Sequence, residues 1–141
     1  ASIEGLYEKA MGDSYPKRGN YEYIEQKTRD VFYDPAIATK ELVDQVYGIV
    51  NNRITVLKTL TIAKSAIRHN MAGDLPDMKQ PTCLIWGKQD AVTPPEVAND
   101  FHKLLPDSDL FWIDNCGHAA MMEHPEEFNQ ILFDWLQKKN L

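Results

Sequence analysis

The 141-residue sequence predicts an α/β protein in which a helical half precedes part of a mostly parallel sheet. Three observations carry this reading. Apolar residues in the first half recur at the helical period; in the second half short unbroken apolar runs replace that period; and a capped helix lies between two such runs. A strand, a crossover helix and a second strand make parallel pairing the expected arrangement. The composition change places the boundary so that residues 1–78 form the helical region and residues 79–141 the sheet-bearing one.

In the first half, a short helical piece opens the chain, and "GDSYPKRGN" (12–20) follows as a loop because of its Gly, Pro and Asn content. "YEYIEQKTRDVF" (21–32) comes after Asn20, which serves as an N-cap, and Asp34 with Pro35 breaks the pattern. "TKELVDQVYGIV" (39–50) starts a second helix at Thr39. From Arg53 to Asn70, the spacing of Val56, Leu60, Ala63 and Ile67 predicts a third helix with one apolar stripe. No strand is expected in this half.

"GDLPDMKQP" (73–81) is a second break. Beyond it, "TCLIWG" (82–87) and "LFWI" (110–113) are short and continuously apolar, as strands buried on both faces are. Between them, "TPPEVANDFHKLL" has Thr93 as an N-cap, Pro94 at the first helical position and Glu96 three residues after the cap, a capping box ahead of Val97, Phe101 and Leu104. Pro125 opens a last helix whose Phe128, Ile131, Leu132, Trp135 and Leu136 share the face that packs on the sheet.

Composition narrows the function. With 21 acidic against 15 basic residues, a net charge of −6 and no basic stripe, the composition argues against a phosphate-backbone partner, and no nucleic acid is expected. No apolar stretch approaches the roughly 18 residues of a membrane-spanning helix, and "ASIEGLYEKAMG" has no basic-then-apolar leader pattern, so no membrane association and a cytoplasmic location are expected. Cys83 and Cys116 form neither a metal-spaced pair nor a disulfide framework and are expected to be reduced. The absence of a phosphate-cradling glycine loop and of a metal-spaced ligand cluster leads to the expectation of no cofactor and no metal.

The chemistry concentrates in two loops. In an open parallel sheet, functional residues collect beyond the carboxyl ends of the strands. "GKQDAVTPP" leaves the first strand with Asp90, and "DNCGHAAMMEHP" leaves the second with His118. Strands about 4.8 Å apart bring such loops within hydrogen-bond reach of each other. A carboxylate on one ring nitrogen fixes the tautomer and stabilises the imidazolium, so the other nitrogen can take a proton from a nucleophile. Asp90 and His118 are therefore the candidate catalytic residues. The alternative for Asp90 is a structural one, satisfying backbone N–H groups ahead of the helix at Thr93, and a lone loop histidine is often only hydrogen-bonded or solvent-facing. His69 and His102 are expected at the surface, and His124 simply precedes the last helix.

"PTCLIWGKQDAVTPPEVA" followed by "LPDSDLFWIDNCGHAAMMEHPEEFNQILFDWL" resembles the C-terminal part of the α/β-hydrolase superfamily. The resemblance covers residues 81–136, with Gly87, Asp90 and Pro94 on the acid loop and Gly117, His118, Glu123, His124 and Pro125 on the histidine loop. It implies an α/β-hydrolase fold in which residues 1–78 are the helical cap and the remainder is a βαβα part of the core. It also implies a catalytic triad in which the acid orients the histidine and the histidine activates a serine.

The triad serine belongs in a G-x-S-x-G turn, and the 141 residues contain none. "GDSYP" around Ser14 has Pro16 where the second glycine belongs and no strand before it, and Ser2, Ser65 and Ser108 have less support. Cys116 has no helix N-terminus ahead of it to stabilise a thiolate. The expectation is thus a C-terminal portion of a longer hydrolase, inactive alone, whose short sheet self-associates or pairs with the missing N-terminal half.

The resemblance implies a small-molecule substrate, with an ester or lactone ahead of the ring-cleavage carbon-carbon hydrolases. In those enzymes tryptophan commonly follows the histidine and an arginine falls within a motif resembling "ELVDQVY"; here the positions hold Ala119 and Val46. Arg53 or Arg68 could bind a substrate carboxylate instead, although exposed helical charges are common, and Met121 and Met122 either line an acyl pocket or fill core gaps. The substrate-binding residues stay unassigned. The rival reading is a non-catalytic interaction module derived from the fold.

Overall fold

The structure of the chain, a computed structural model, describes residues 15–68 and 71–140. The opening helical piece, Ser2, Ser14 and His69 lie outside the described residues, as do the side chains of Ile67 and Arg68. The chain separates into two compact units, Ala1–Thr28 with Ala38–Asn70 and Arg29–Ile37 with Met71–Leu141.

The first unit contains α1 (Tyr21–Arg29, whose last residue belongs to the other unit), α2 (Lys40–Asn51) and α3 (Arg53–Arg68). The caps follow the sequence. Asn20 Oδ1 accepts the Tyr23 amide at 2.9 Å and Thr39 Oγ1 the Leu42 amide at 3.3 Å, each satisfying a donor that the first helical turn leaves open. Asn52 ends α2 and starts α3, its Oδ1 accepting the Ile54 and Thr55 amides at 3.1 Å. Side chains join α1 to α2: Tyr21 Oη donates to Asp44 at 2.6 Å, and its ring lies 5.3 Å from that of Tyr47. Val56, Leu60 and Ala63 are half-buried. The expectation of a single apolar stripe on this helix is corrected, because Ile54, Leu57 and Ile62 form a second, exposed one.

The second unit holds the sheet. Strands β1 (Thr82–Gly87) and β2 (Ser108–Ile113) pair in parallel, with Leu84 opposite Leu110 and Gly87 opposite Ile113, and α4 (Pro95–Leu104) makes the crossover. The second strand begins two residues earlier than its apolar run. Burial on both faces is not realised: only Gly87 and Ile113, at the carboxyl ends, are buried, because among the described residues each of the two strands pairs only with the other. Those ends lead into a core of Ile113, Cys116 and Ala120, with Ile85, Phe128 and Ile131 packed against it.

After a short α5 (Ala120–Glu123), α6 (Pro125–Lys139) starts at the proline, as expected. Its five predicted inward residues are all buried or half-buried, and Trp135 Nε1 donates to Asp109 Oδ2 at 2.9 Å. The capping box of α4 does not form. The helix begins one residue later than predicted, at Pro95, and Thr93 turns its hydroxyl to Asp90 instead.

Candidate active site

The two strand-end loops are laced together before they reach Asp90 and His118. The Lys88 amide donates to Ile113 O at 2.9 Å, extending the parallel ladder by one step. Gln89 then grips the histidine loop twice, its amide donating to Cys116 O at 3.0 Å and its Oε1 accepting the Cys116 amide at 3.1 Å. Asp114 receives Lys88 Nζ at 3.1 Å and Gln89 Nε2 at 3.2 Å. Such close backbone approach requires glycine at the end of β1: a Cβ on Gly87 would stand 2.1 Å from Gly117 O and 2.4 Å from Cys116 O.

Asp90 sits at the bottom of this arrangement with its side chain only 3% exposed. Its Oδ1 accepts the Val92 amide at 2.8 Å and the Thr93 amide at 2.9 Å, while Oδ2 accepts the Thr93 hydroxyl at 2.8 Å and faces His118 Nδ1 at 2.9 Å. Both sequence readings of this residue are therefore present geometrically, since it satisfies the amides ahead of α4 and also meets the imidazole. Burial pushes its pKa up, but the hydrogen bonds from His118, Thr93 and Val92 outweigh burial and hold the carboxyl below its ordinary value. An ionised carboxylate only accepts, so His118 carries its proton on Nδ1. In the neutral imidazole Nε2 is then the bare nitrogen, and no described residue hydrogen-bonds it. The His118 side chain is 42% exposed, a geometry in which a neutral imidazole can accept a proton.

Thr93 takes a larger part than the sequence indicated. Its hydroxyl lies 2.8 Å from Asp90 Oδ2 and 3.1 Å from His118 Nδ1, and its carbonyl accepts Trp86 Nε1 at 2.9 Å. The deep end of the acid loop is thereby tied to β1.

The histidine loop is shaped by contacts that are distant in sequence. Asn115 adopts the left-handed conformation (φ 50°), and His124 Nε2 bonds its carbonyl at 2.9 Å. Gly117 is required for space and has no positive φ: a Cβ there would lie 2.7 Å from Val31 O. Glu123, which the sequence placed in the loop without a role, accepts the Gly117 amide at 2.7 Å.

Cys116 is fully buried, and burial together with nearby carboxylates pushes its thiol up to about 11, which leaves it inert as a nucleophile. Cys83 is also free, with its thiol raised by burial. Met121 and Met122 are 53% and 46% exposed, so neither fills a core gap. Arg53 is exposed, and His102 is an exposed residue bonded to Ser108 Oγ at 2.9 Å. Among the described residues no cluster of ligands could hold a metal ion, and no helix is long and apolar enough to cross a membrane.

Residues 5–125 match the alpha/beta hydrolase fold, and the chain belongs to that family. It is similar to the crystal structure of MGS-MChE2, an alpha/beta hydrolase enzyme from the metagenome of sediments from the lagoon of Mar Chica, Morocco. That structure is 69% identical with a TM-score of 0.66, over 72% of this chain and 47% of the other. The 2-hydroxy-6-oxononadienedioate/2-hydroxy-6-oxononatrienedioate hydrolase of a Pseudomonas species is 31% identical over 116 residues, which are 80% of this chain and 41% of the relative. Monoacylglycerol lipase ABHD6 of Bos taurus is 34% identical over 77 residues, 55% of this chain and 23% of the relative. The chain thus spans less than half the length of each.

Proposed function

We propose that this chain supplies the acid and the base of a serine-type hydrolase acting on a small ester or lactone. The supporting observation is the 2.9 Å contact between Asp90 Oδ2 and His118 Nδ1, made by a carboxylate that three further hydrogen bonds hold in place. In this reading His118 Nε2 takes the proton of a serine hydroxyl as that oxygen attacks the substrate carbonyl. It then returns the proton to the leaving alkoxide, and a water molecule repeats the sequence to release the acid. Asp90 stays ionised throughout and stabilises the imidazolium.

The serine comes from outside the 141 residues, which contain no G-x-S-x-G turn. The half-exposed strands of the two-stranded sheet are edges for the strands that carry it, and without them the chain is inactive and associates with itself. In this reading residues 1–78 are the cap, and two free thiols agree with a cytoplasmic location. A carbon-carbon bond hydrolase is the second reading, favoured by 31% identity to the Pseudomonas enzyme over 80% of the chain.

The test is to complete the fold by fusing the chain to the N-terminal part of the Mar Chica hydrolase. The fusion is expected to hydrolyse p-nitrophenyl esters, with His118→Ala abolishing turnover. Turnover of a 2-hydroxy-6-oxo-dienoate without ester hydrolysis selects the second reading. A folded fusion inert toward both contradicts the proposal and leaves a binding module.

A further inference from the structure

One carboxylate holds the histidine loop from behind. Glu123 Oε1 accepts the Gly117 amide at 2.7 Å, while Oε2 accepts the Tyr33 amide at 2.7 Å and the Asp34 amide at 3.3 Å. The His118 amide donates to Val31 O at 2.8 Å, so the same short segment, residues 31–34, receives the backbone of the imidazole-bearing residue. Tyr33 and Glu123 are 90 positions apart in sequence, and Glu123 is the side chain that joins them. The fit has no slack, because a Cβ on Gly117 would stand 2.7 Å from Val31 O, 2.8 Å from Tyr33 N and 3.0 Å from Glu123 Oε1.

The other partner of the imidazole cannot follow it. Asp90 is fixed by the Val92 amide, the Thr93 amide and the Thr93 hydroxyl, so its Oδ2 stays where those donors hold it. Alignment of the 2.9 Å contact then depends on where the backbone places His118, and hydrogen bonds weaken steeply with distance and angle.

We infer that Glu123 is a positioning residue for His118: by fixing Gly117 against residues 31–34, it sets the imidazole in line with Asp90. The inference rests on the reading of Asp90 and His118 as the acid-base pair. Charge strengthens the arrangement, since an ionised carboxylate accepts backbone N–H groups more strongly than a neutral oxygen does.

The test reads the imidazole tautomer in the full chain with 15N-labelled histidine, by magic-angle-spinning NMR, which works whatever the state of association. The His118 signals are identified by their loss in His118→Gln. The unsubstituted chain is expected to hold His118 wholly as the Nδ1–H form above the range where imidazole titrates. Glu123→Ala is expected to lose that single form and give a mixture, while His102, bonded to Ser108 instead, keeps its signals. Glu123→Gln keeps one acceptor for Gly117 and is expected to fall between the two; it carries the test if the alanine variant does not fold.

A wild-type tautomer in both variants overturns the inference while leaving the Asp90 and His118 reading intact. A mixture already present in the unsubstituted chain, unchanged by Asp90→Asn, overturns that reading and the inference with it.

Discussion

Asp90→Asn is expected to lower kcat of the completed hydrolase by about 10⁴-fold with little change in KM, the loss typical when an amide replaces the orienting carboxylate. The side chains are almost the same size, so the cause is one of proton placement. The Asp90 carboxylate can only accept, which keeps the His118 proton on Nδ1 and leaves Nε2 bare. An amide offers N–H groups as well, and an imidazole that accepts from one at Nδ1 must carry its proton on Nε2, where it cannot act as a base. Steady-state kinetics on an activated ester check this; a loss below about tenfold would remove Asp90 from the mechanism.

The same substitution changes the dependence of stability on pH. Because the folded Asp90 carboxyl titrates below its ordinary value, its contribution is complete above the unfolded carboxylate pKa of about 4 and disappears as pH falls through the lower folded value. Resistance of the wild type to urea should therefore weaken on acidification from about pH 4 downward, and Asp90→Asn should lack that part of the slope.

Gly87→Ala is expected to cost more than about 4 kcal/mol, the range reserved for substitutions that a structure cannot absorb. The added methyl would lie 2.1 Å from one carbonyl oxygen and 2.4 Å from another, both of them backbone, so no rotamer change relieves the overlap. Relief requires separating the acid loop from the histidine loop, which would break the Gln89 contacts to Cys116. Gly48 is the internal control. It lies within α2 with nothing within 4 Å of its missing Cβ, and Gly48→Ala should be neutral or stabilise by up to about 1 kcal/mol. Equal urea midpoints for the two variants would contradict the account of the loop contact.

What the sequence made legible was local. Pro125 and the 3.6-residue recurrence through Leu136 predict α6 and its inward face because both act within a few turns. Asp90 and His118 could be paired in advance because parallel strands joined by a crossover place their carboxyl-end loops side by side. Thr93 has the pattern of a cap because it precedes a proline-started helix, and only the fold shows a buried carboxylate competing for the hydroxyl. Residues 29–37 fold with the sheet unit although they lie within a helical half, and Glu123 reaches them across 90 positions. Periodicity and capping carry no signal for a contact of that range.

The most direct measurement is reaction with a serine-directed fluorophosphonate, followed by intact mass, on the 141-residue chain and on its fusion to an N-terminal hydrolase part. No adduct is expected on the chain alone and one adduct on the fusion, located on the serine of the added part and slowed by His118→Ala. A stoichiometric adduct on the chain alone would contradict this, because the nucleophile would then lie within these residues and Asp90 and His118 would serve a serine of their own.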